Sequence, residues 1–223
     1  MVELIRGIDA ERVRQNLERI GEELGAACAR AGRRGEDVAV LAATKYVACE
    51  ELPKLAEAGV RLVGENRAQD LGEKVAAHGA LFEWDFIGQL QSRRVRAIVP
   101  HVRLIHSLAS ESVLRELERH REIARPGLRV LVEVNVAGEE GKAGISPQQL
   151  DDFIVRSSVP VVGLMTMPPL SAEPEDNRRW FAALRELAVE RGLAELSMGT
   201  SQDYLIAAEE GATIVRIGTN LYH

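Results

Sequence analysis

Apolar and polar positions along this chain alternate between two periods, and the alternation repeats eight times. The first strand-like run is Val38-Ala39-Val40-Leu41-Ala42-Ala43-Thr44, which ends on Lys45. A nearly continuous apolar run suits a parallel strand covered on both faces, because no solvent side has to carry polar residues. Ahead of it, residues 8–31 place Val13, Leu17, Ile20, Leu24 and Ala27 on one helical face, with Asp9 as N-cap and Gly32 near the end. Behind it the pattern predicts helices over 50–58, 67–78, 92–99, 110–124, 147–157, 175–191 and 202–210. Strands are predicted over 60–64, 81–87, 103–107, 128–135, 160–165, 194–198 and 213–217.

Strands separated by helices at this spacing imply right-handed crossovers and a parallel sheet, and eight of them imply closure into an α/β single (β/α)8 TIM barrel. An open doubly wound sheet is the rival, but no glycine fingerprint opens the first helix. Only a few residues follow the last strand, so no helix is expected after it. The additional N-terminal helix is expected to cover that gap in the outer ring. No linker, repeat or low-complexity stretch divides the chain, and residues 1–223 read as one domain.

Composition narrows the class. Apolar residues make up 46% of the 223, enough for a substantial core, and the net charge of -6 arises from acidic and basic residues mixed along the chain. The absence of a basic stripe argues against nucleic acid or an anionic membrane as partner. No run approaches the roughly 18 apolar residues of a membrane span, and the first residues carry no export signal, so a cytoplasmic protein is expected. Cys28 and Cys49 lack neighbours at metal-ligand spacing and read as free thiols, with no metal site expected. A charged surface without an apolar stripe leans toward a monomer.

In such barrels reactive groups project from the C-terminal strand ends and the loops that follow. Those ends carry Lys45, Glu65-Asn66, Gly88-Gln89, Ser107, Asn135, Met165-Thr166, Gly199-Thr200-Ser201 and Arg216-Ile217-Gly218-Thr219. No carboxylate pair or His/Cys cluster converges there, which weakens glycosidase, metal-hydrolase and cysteine-nucleophile chemistry. A lysine whose strand end opens into a pocket is partly desolvated; its pKa falls and its amine can attack a carbonyl, whereas one that leaves for solvent does neither. Ser201, before a helix, and Gly218-Thr219, on the neighbouring strand end, offer N–H and hydroxyl donors to a phosphate. Alone, Ser201 would be an N-cap and Gly218 a turn residue; at adjacent strand ends they favour an anion seat, from which Asp203 must turn its charge away. Amine, phosphate seat and lone arginine together suit a phosphorylated aldehyde such as pyridoxal phosphate.

Seven segments then carry a resemblance. Ala43-Thr44-Lys45, Gly64-Glu65-Asn66, Phe86-Ile87-Gly88-Gln89-Leu90-Gln91, Lys142-Ala143-Gly144, Gly163-Leu164-Met165-Thr166, Leu196-Ser197-Met198-Gly199-Thr200-Ser201-Gln202-Asp203 and Val215-Arg216-Ile217-Gly218-Thr219 closely resemble the pyridoxal phosphate homeostasis proteins. The likeness runs in order from about Val38 to Thr219. It implies a barrel like the N-terminal domain of alanine racemase, with Lys45 carrying pyridoxal phosphate as an internal aldimine. By the same resemblance Ser201, Gly218 and Thr219 would hold the phosphate, Arg216 would face the pyridine nitrogen, and Asn66 and Met198 would line the surroundings. The chain departs from the family at Asp85, where histidine is frequent, at Arg93-Arg94, Ala109 and Thr200, and in the Leu221-Tyr222-His223 ending. These departures are expected to alter the rim and to leave the lysine and phosphate residues untouched.

An arginine beside the ring nitrogen opposes its protonation and makes the ring a poorer electron sink. Racemisation also needs an acid/base group on the opposite face, which in alanine racemase comes from another domain, and this chain reads as lacking one. Tyr46 and Tyr204 read as packed rim residues. The implied function is cofactor homeostasis without dedicated catalysis: a carrier or buffer of pyridoxal phosphate, with apoenzymes as acceptors and no catalytic residue. The alternatives are a small pyridoxal phosphate-dependent amino-acid racemase and a sugar-phosphate isomerase or aldolase using Lys45 directly. His106 is expected to face away from the cofactor if Ser107 faces it. His78, His101, His120 and His223 are assigned no role.

Overall fold

The computed structural model describes residues 4–171 and 173–222, so His223 lies outside the described residues. The strands are β1 (Ala39–Ala43), β2 (Leu62–Glu65), β3 (Glu83–Phe86), β4 (Leu104–Leu108), β5 (Arg129–Glu133), β6 (Val161–Met165), β7 (Glu195–Thr200) and β8 (Ile214–Ile217). They form a closed barrel in sequence order, every pair parallel, with β8 returning to β1. The helices are α1 (Ala10–Arg30), α2 (Leu52–Glu57), α3 (Ala68–His78), α4 (Val95–Ile98), α5 (Glu111–Arg119), α6 (Leu150–Arg156), α7 (Arg178–Glu190), α8 (Tyr204–Glu209) and α9 (Thr219–Tyr222).

Alternation along each strand builds two cores. Leu41, Leu104, Leu131, Met165 and Ile214 fill the barrel interior. Val63, Trp84, Ile105, Val130, Leu164, Leu196 and Val215 belong to the larger core shared with the helices. Because side chains alternate at a period of two, the inward positions continue upward from Leu41 to Ala43 and Lys45, and from Ile214 to Arg216 and Gly218. Lys45, Arg216 and Gly218 therefore share the C-terminal mouth.

Helix α1 starts where Asp9 accepts from the N–H groups of Glu11 and Arg12. It buries Val13, Ile20, Leu24, Ala27 and Cys28 and packs against α2, α8 and α9, filling the outer-ring position after β8. One expectation is corrected: a single helical turn, α9, does follow β8, and it buries Leu221 and Tyr222. Several helices also begin later than the pattern predicts. The segments Cys49–Glu51, Ser92–Arg94, Pro147–Gln149 and Pro174–Asn177 are tight 3-10 turns that lead into α2, α4, α6 and α7.

Candidate functional site

Lys45 leaves β1 just past Thr44, which is held from three sides. The Thr44 N–H donates to the Gly64 carbonyl at 3.0 Å, its hydroxyl to Glu65 Oε1 at 2.6 Å, and its carbonyl accepts from Lys74 Nζ at 2.8 Å. Lys74 also donates to Glu65 Oε1 at 2.6 Å, so a buried ion pair fastens α3 behind the lysine. Glu65 is fully buried on that side, which corrects its expected place on the rim. The Lys45 ammonium lies 4.8 Å from the centroid of the Tyr46 ring. The segment ahead of α1 crosses nearby: Ile5 N donates to the Tyr46 carbonyl at 2.6 Å, and Ala48 N to the Ile5 carbonyl at 3.1 Å.

Across the mouth, β7 and β8 shift register. Ser197 pairs with Ile214 but Thr200 with Arg216, so three steps on one strand oppose two on the other. Gly199 absorbs the extra residue at φ +89, where a Cβ would also lie 2.5 Å from that of Ala207. The bulge aims the following turn at β8: Gly218 N donates to Ser201 Oγ at 3.1 Å and Asn220 Nδ2 to the Ser201 carbonyl at 3.0 Å. Ser201 is therefore no N-cap. That place belongs to Asp203, whose carboxylate accepts from Thr200 N at 2.7 Å and Asn177 Nδ2 at 2.9 Å. The carboxylate is thereby tied down on the α7 side.

Lys45, Asn66, Ser201, Arg216, Gly218 and Thr219 all line one cavity of about 330 Å³, together with Ile5, Tyr46, Thr200 and Tyr222. The volume sits at the small end of the range for ligand pockets, about 300–1,000 Å³. A broader groove of about 670 Å³ on the far side of Tyr46 shares Lys45 and is lined by Cys49, Arg67 and Lys74, but none of the proposed phosphate residues reaches it. Met198 is the exception among the expected site residues. Outward parity packs it, fully buried, among the helices, and it lines neither cavity. Tyr204 also turns away, its hydroxyl donating to Glu23 on α1.

Arg216 closes the cavity floor. Its Nη1 donates to the Ser197 carbonyl at 3.0 Å and Ser197 Oγ at 2.6 Å; its Nη2 donates to the Thr166 carbonyl at 3.0 Å and Met167 Sδ at 2.9 Å. Burial pulls its pKa down to about 10, opposed by Asp203 and Glu133, so it stays cationic at neutral pH. Glu133, on the inner wall of β5, is pushed up by burial against the attraction of Arg216.

Other strand-end groups serve the scaffold. The Ser107 hydroxyl donates to the Gly88 carbonyl at 2.5 Å, Thr166 Oγ1 to the Val134 carbonyl at 2.9 Å, and Asn135 Nδ2 to the Glu139 carbonyl at 2.8 Å. Of the neighbours His106 and Ser107, it is His106 that takes the inward place. It points into the barrel, with Nδ1 2.8 Å from Ser197 Oγ and Nε2 3.1 Å from Asp85 Oδ2. All five positions of β4 are buried, so its sequence shows no alternation that would have marked the inward face. Sequence reasoning also missed Tyr222, whose hydroxyl donates to the Ala43 carbonyl at 3.0 Å under the cavity. Among the described residues, no cluster of His, Cys, Asp and Glu could hold a metal ion, and no helix is long and apolar enough to cross a membrane.

Two observations fit a phosphorylated ring to this cavity. Gly218 has no positive φ, and a Cβ added there would meet nothing within 4 Å, so neither backbone nor packing explains the glycine. Asn66 Oδ1 is buried without a hydrogen-bond partner. An occupant that presses against Gly218 and donates to Asn66 accounts for both.

Fold and site define a barrel of the class described as "Alanine racemase, N-terminal domain", whose family model matches residues 8–223. A pyridoxal phosphate homeostasis protein of Aquifex aeolicus is 41% identical over 93% of this chain and 96% of its own length. The structure of PipY from Synechococcus elongatus with PLP bound superposes with a TM-score of 0.75 at 30% identity, covering 92% of this chain and all of that one. Alanine racemase from Corynebacterium glutamicum, at 16% identity and a TM-score of 0.66, shares the fold over 61% of its length. The chain belongs to the pyridoxal phosphate homeostasis protein family.

Proposed function

We propose that this protein binds pyridoxal 5'-phosphate and serves its homeostasis as a carrier or buffer, without dedicated catalysis. The observation that supports this reading most strongly is the convergence of Lys45, Ser201, Gly218, Thr219 and Arg216 on one cavity. When bound, the cofactor supplies a reactive aldehyde. Lys45, whose amine faces the cavity mouth, would be the residue that holds the cofactor through that aldehyde. The Ser201 hydroxyl and the Gly218 and Thr219 corner receive the phosphate, while Asn66 borders the ring. Arg216 would offer its positive charge to the ring nitrogen, which would disfavour protonation there and so restrain carbanion chemistry.

In this reading the protein works as a monomer in the cytoplasm, and its acceptors are apoenzymes that use the same cofactor. Incubation with pyridoxal phosphate, borohydride reduction and peptide mass spectrometry test it directly. The expected result is one added pyridoxyl phosphate on Lys45, lost in Lys45→Ala, with no Lys45-dependent turnover of amino acids. Absence of uptake would contradict cofactor binding, and Lys45-dependent racemisation would contradict the carrier role.

A further inference from the structure

A line of polar side chains threads the barrel interior from its N-terminal end to the cavity floor. Arg103 Nη2 donates to Asp85 Oδ2 at 3.0 Å, Asp85 Oδ2 meets His106 Nε2 at 3.1 Å, His106 Nδ1 meets Ser197 Oγ at 2.8 Å, and Ser197 Oγ accepts from Arg216 Nη1 at 2.6 Å. Asp85, His106 and Ser197 are at most 2% exposed.

The hydrogen directions along this line follow from donor and acceptor rules. Arginine only donates, so Ser197 Oγ accepts from Arg216 and is left with its one proton to give. The Asp85 carboxylate can only accept, so the single ring hydrogen of neutral His106 lies on Nε2 and points at it, and Nδ1 accepts the Ser197 proton. Burial holds the imidazole below its usual range even beside Asp85, in keeping with this neutral tautomer. A negative carboxylate at one end thus polarises imidazole and hydroxyl in sequence toward the guanidinium at the other.

The consequence lies at Arg216. Its two terminal nitrogens spend their four hydrogens on Ser197 O, Ser197 Oγ, Thr166 O and Met167 Sδ. The Nε–H is the donor left without a protein acceptor among the described residues, on a side chain that lines the cavity. A buried polar line is costly where apolar packing would serve the fold as well. We propose that Asp85, His106 and Ser197 are positioning residues that lock the Arg216 guanidinium so that its Nε–H is presented to the ring nitrogen of the bound cofactor. This rests on the cofactor reading above and extends it to residues that never touch the cofactor. Asp85, a departure from the family pattern, therefore acts inside the barrel and not at the rim.

The test loads the full-length chain with pyridoxal phosphate labelled with 15N in the ring and records the ring-nitrogen chemical shift and the dissociation constant. The variants are Ser197→Ala, His106→Leu, Arg216→Gln and the double variant Ser197→Ala/Arg216→Gln. Ser197→Ala removes one hydroxyl and keeps the packing, so it serves even where His106→Leu fails to fold. Ser197→Ala is expected to move the ring-nitrogen shift toward that of Arg216→Gln and to weaken binding about tenfold, the loss typical of one hydrogen bond to a charged group. In the double variant the serine change should add nothing further. A Ser197→Ala protein that binds the cofactor with the wild-type ring-nitrogen shift, or effects that add in the double variant, would overturn the relay alone. A wild-type chain that takes up no cofactor would overturn both readings.

Discussion

At the scale of single residues, Gly218 separates the needs of the fold from those of a ligand. Its backbone is open to any L residue, and a Cβ would project into empty space. Gly218→Ala should leave thermal stability unchanged within about 0.5 kcal/mol, while weakening pyridoxal phosphate binding by at least about tenfold, as expected when a methyl group intrudes on a charged hydrogen-bond corner. Calorimetric unfolding beside a cofactor titration measures both. Undiminished binding would mean that the phosphate rests elsewhere. Gly88 is the contrasting case: a Cβ there would lie 2.1 Å from the Asn66 carbonyl oxygen, so the close approach of β2 and β3 at the rim needs a glycine with or without a ligand.

Between elements, the buried Glu65–Lys74 pair fixes α3 to the β1–β2 rim and with it the backbone that carries Lys45. Removing one partner leaves a buried charge unpaired. Lys74→Met is therefore expected to cost about 3–5 kcal/mol, and Glu65→Leu/Lys74→Met should regain most of it. Urea unfolding checks both; a single variant as stable as wild type, or a double variant worse than the single, would contradict this account. The pair also shows where reading the sequence fell short. Parity with Leu62 and Gly64 places Asn66 inward and Glu65 outward, yet adjacency in the Gly64-Glu65-Asn66 motif put both on the rim. In β4 no parity was visible, because both faces are covered and every position is buried, which hid His106. The β7 bulge at Gly199, which aims Ser201 at Gly218, depends on a positive φ that no spacing of apolar residues encodes. Met198 was misplaced for the related reason that a motif names neighbours in sequence without saying which of them turns inward.

For the molecule as a whole, the barrel was legible because each strand is a short apolar run and each helix keeps a buried stripe, so eight repeats left little choice of topology. The convergence of Lys45, Ser201 and Arg216 on one mouth then follows from closure, since β8 pairs with β1 and brings the last strand end beside the first. The polar line inside the barrel does not follow from closure. It arises from inward positions on four separate strands and their flanks, whose hydrogen-bond partners lie as many as 91 residues apart. The most direct test of the whole account is a crystal structure of the protein soaked with pyridoxal phosphate. The expected result is electron density continuous with Lys45 Nζ, the phosphate seated at Ser201, Gly218 and Thr219, and the ring nitrogen facing Arg216 Nε. Density for the phosphate in the groove beyond Tyr46, beside Arg67 and Lys74, would contradict it.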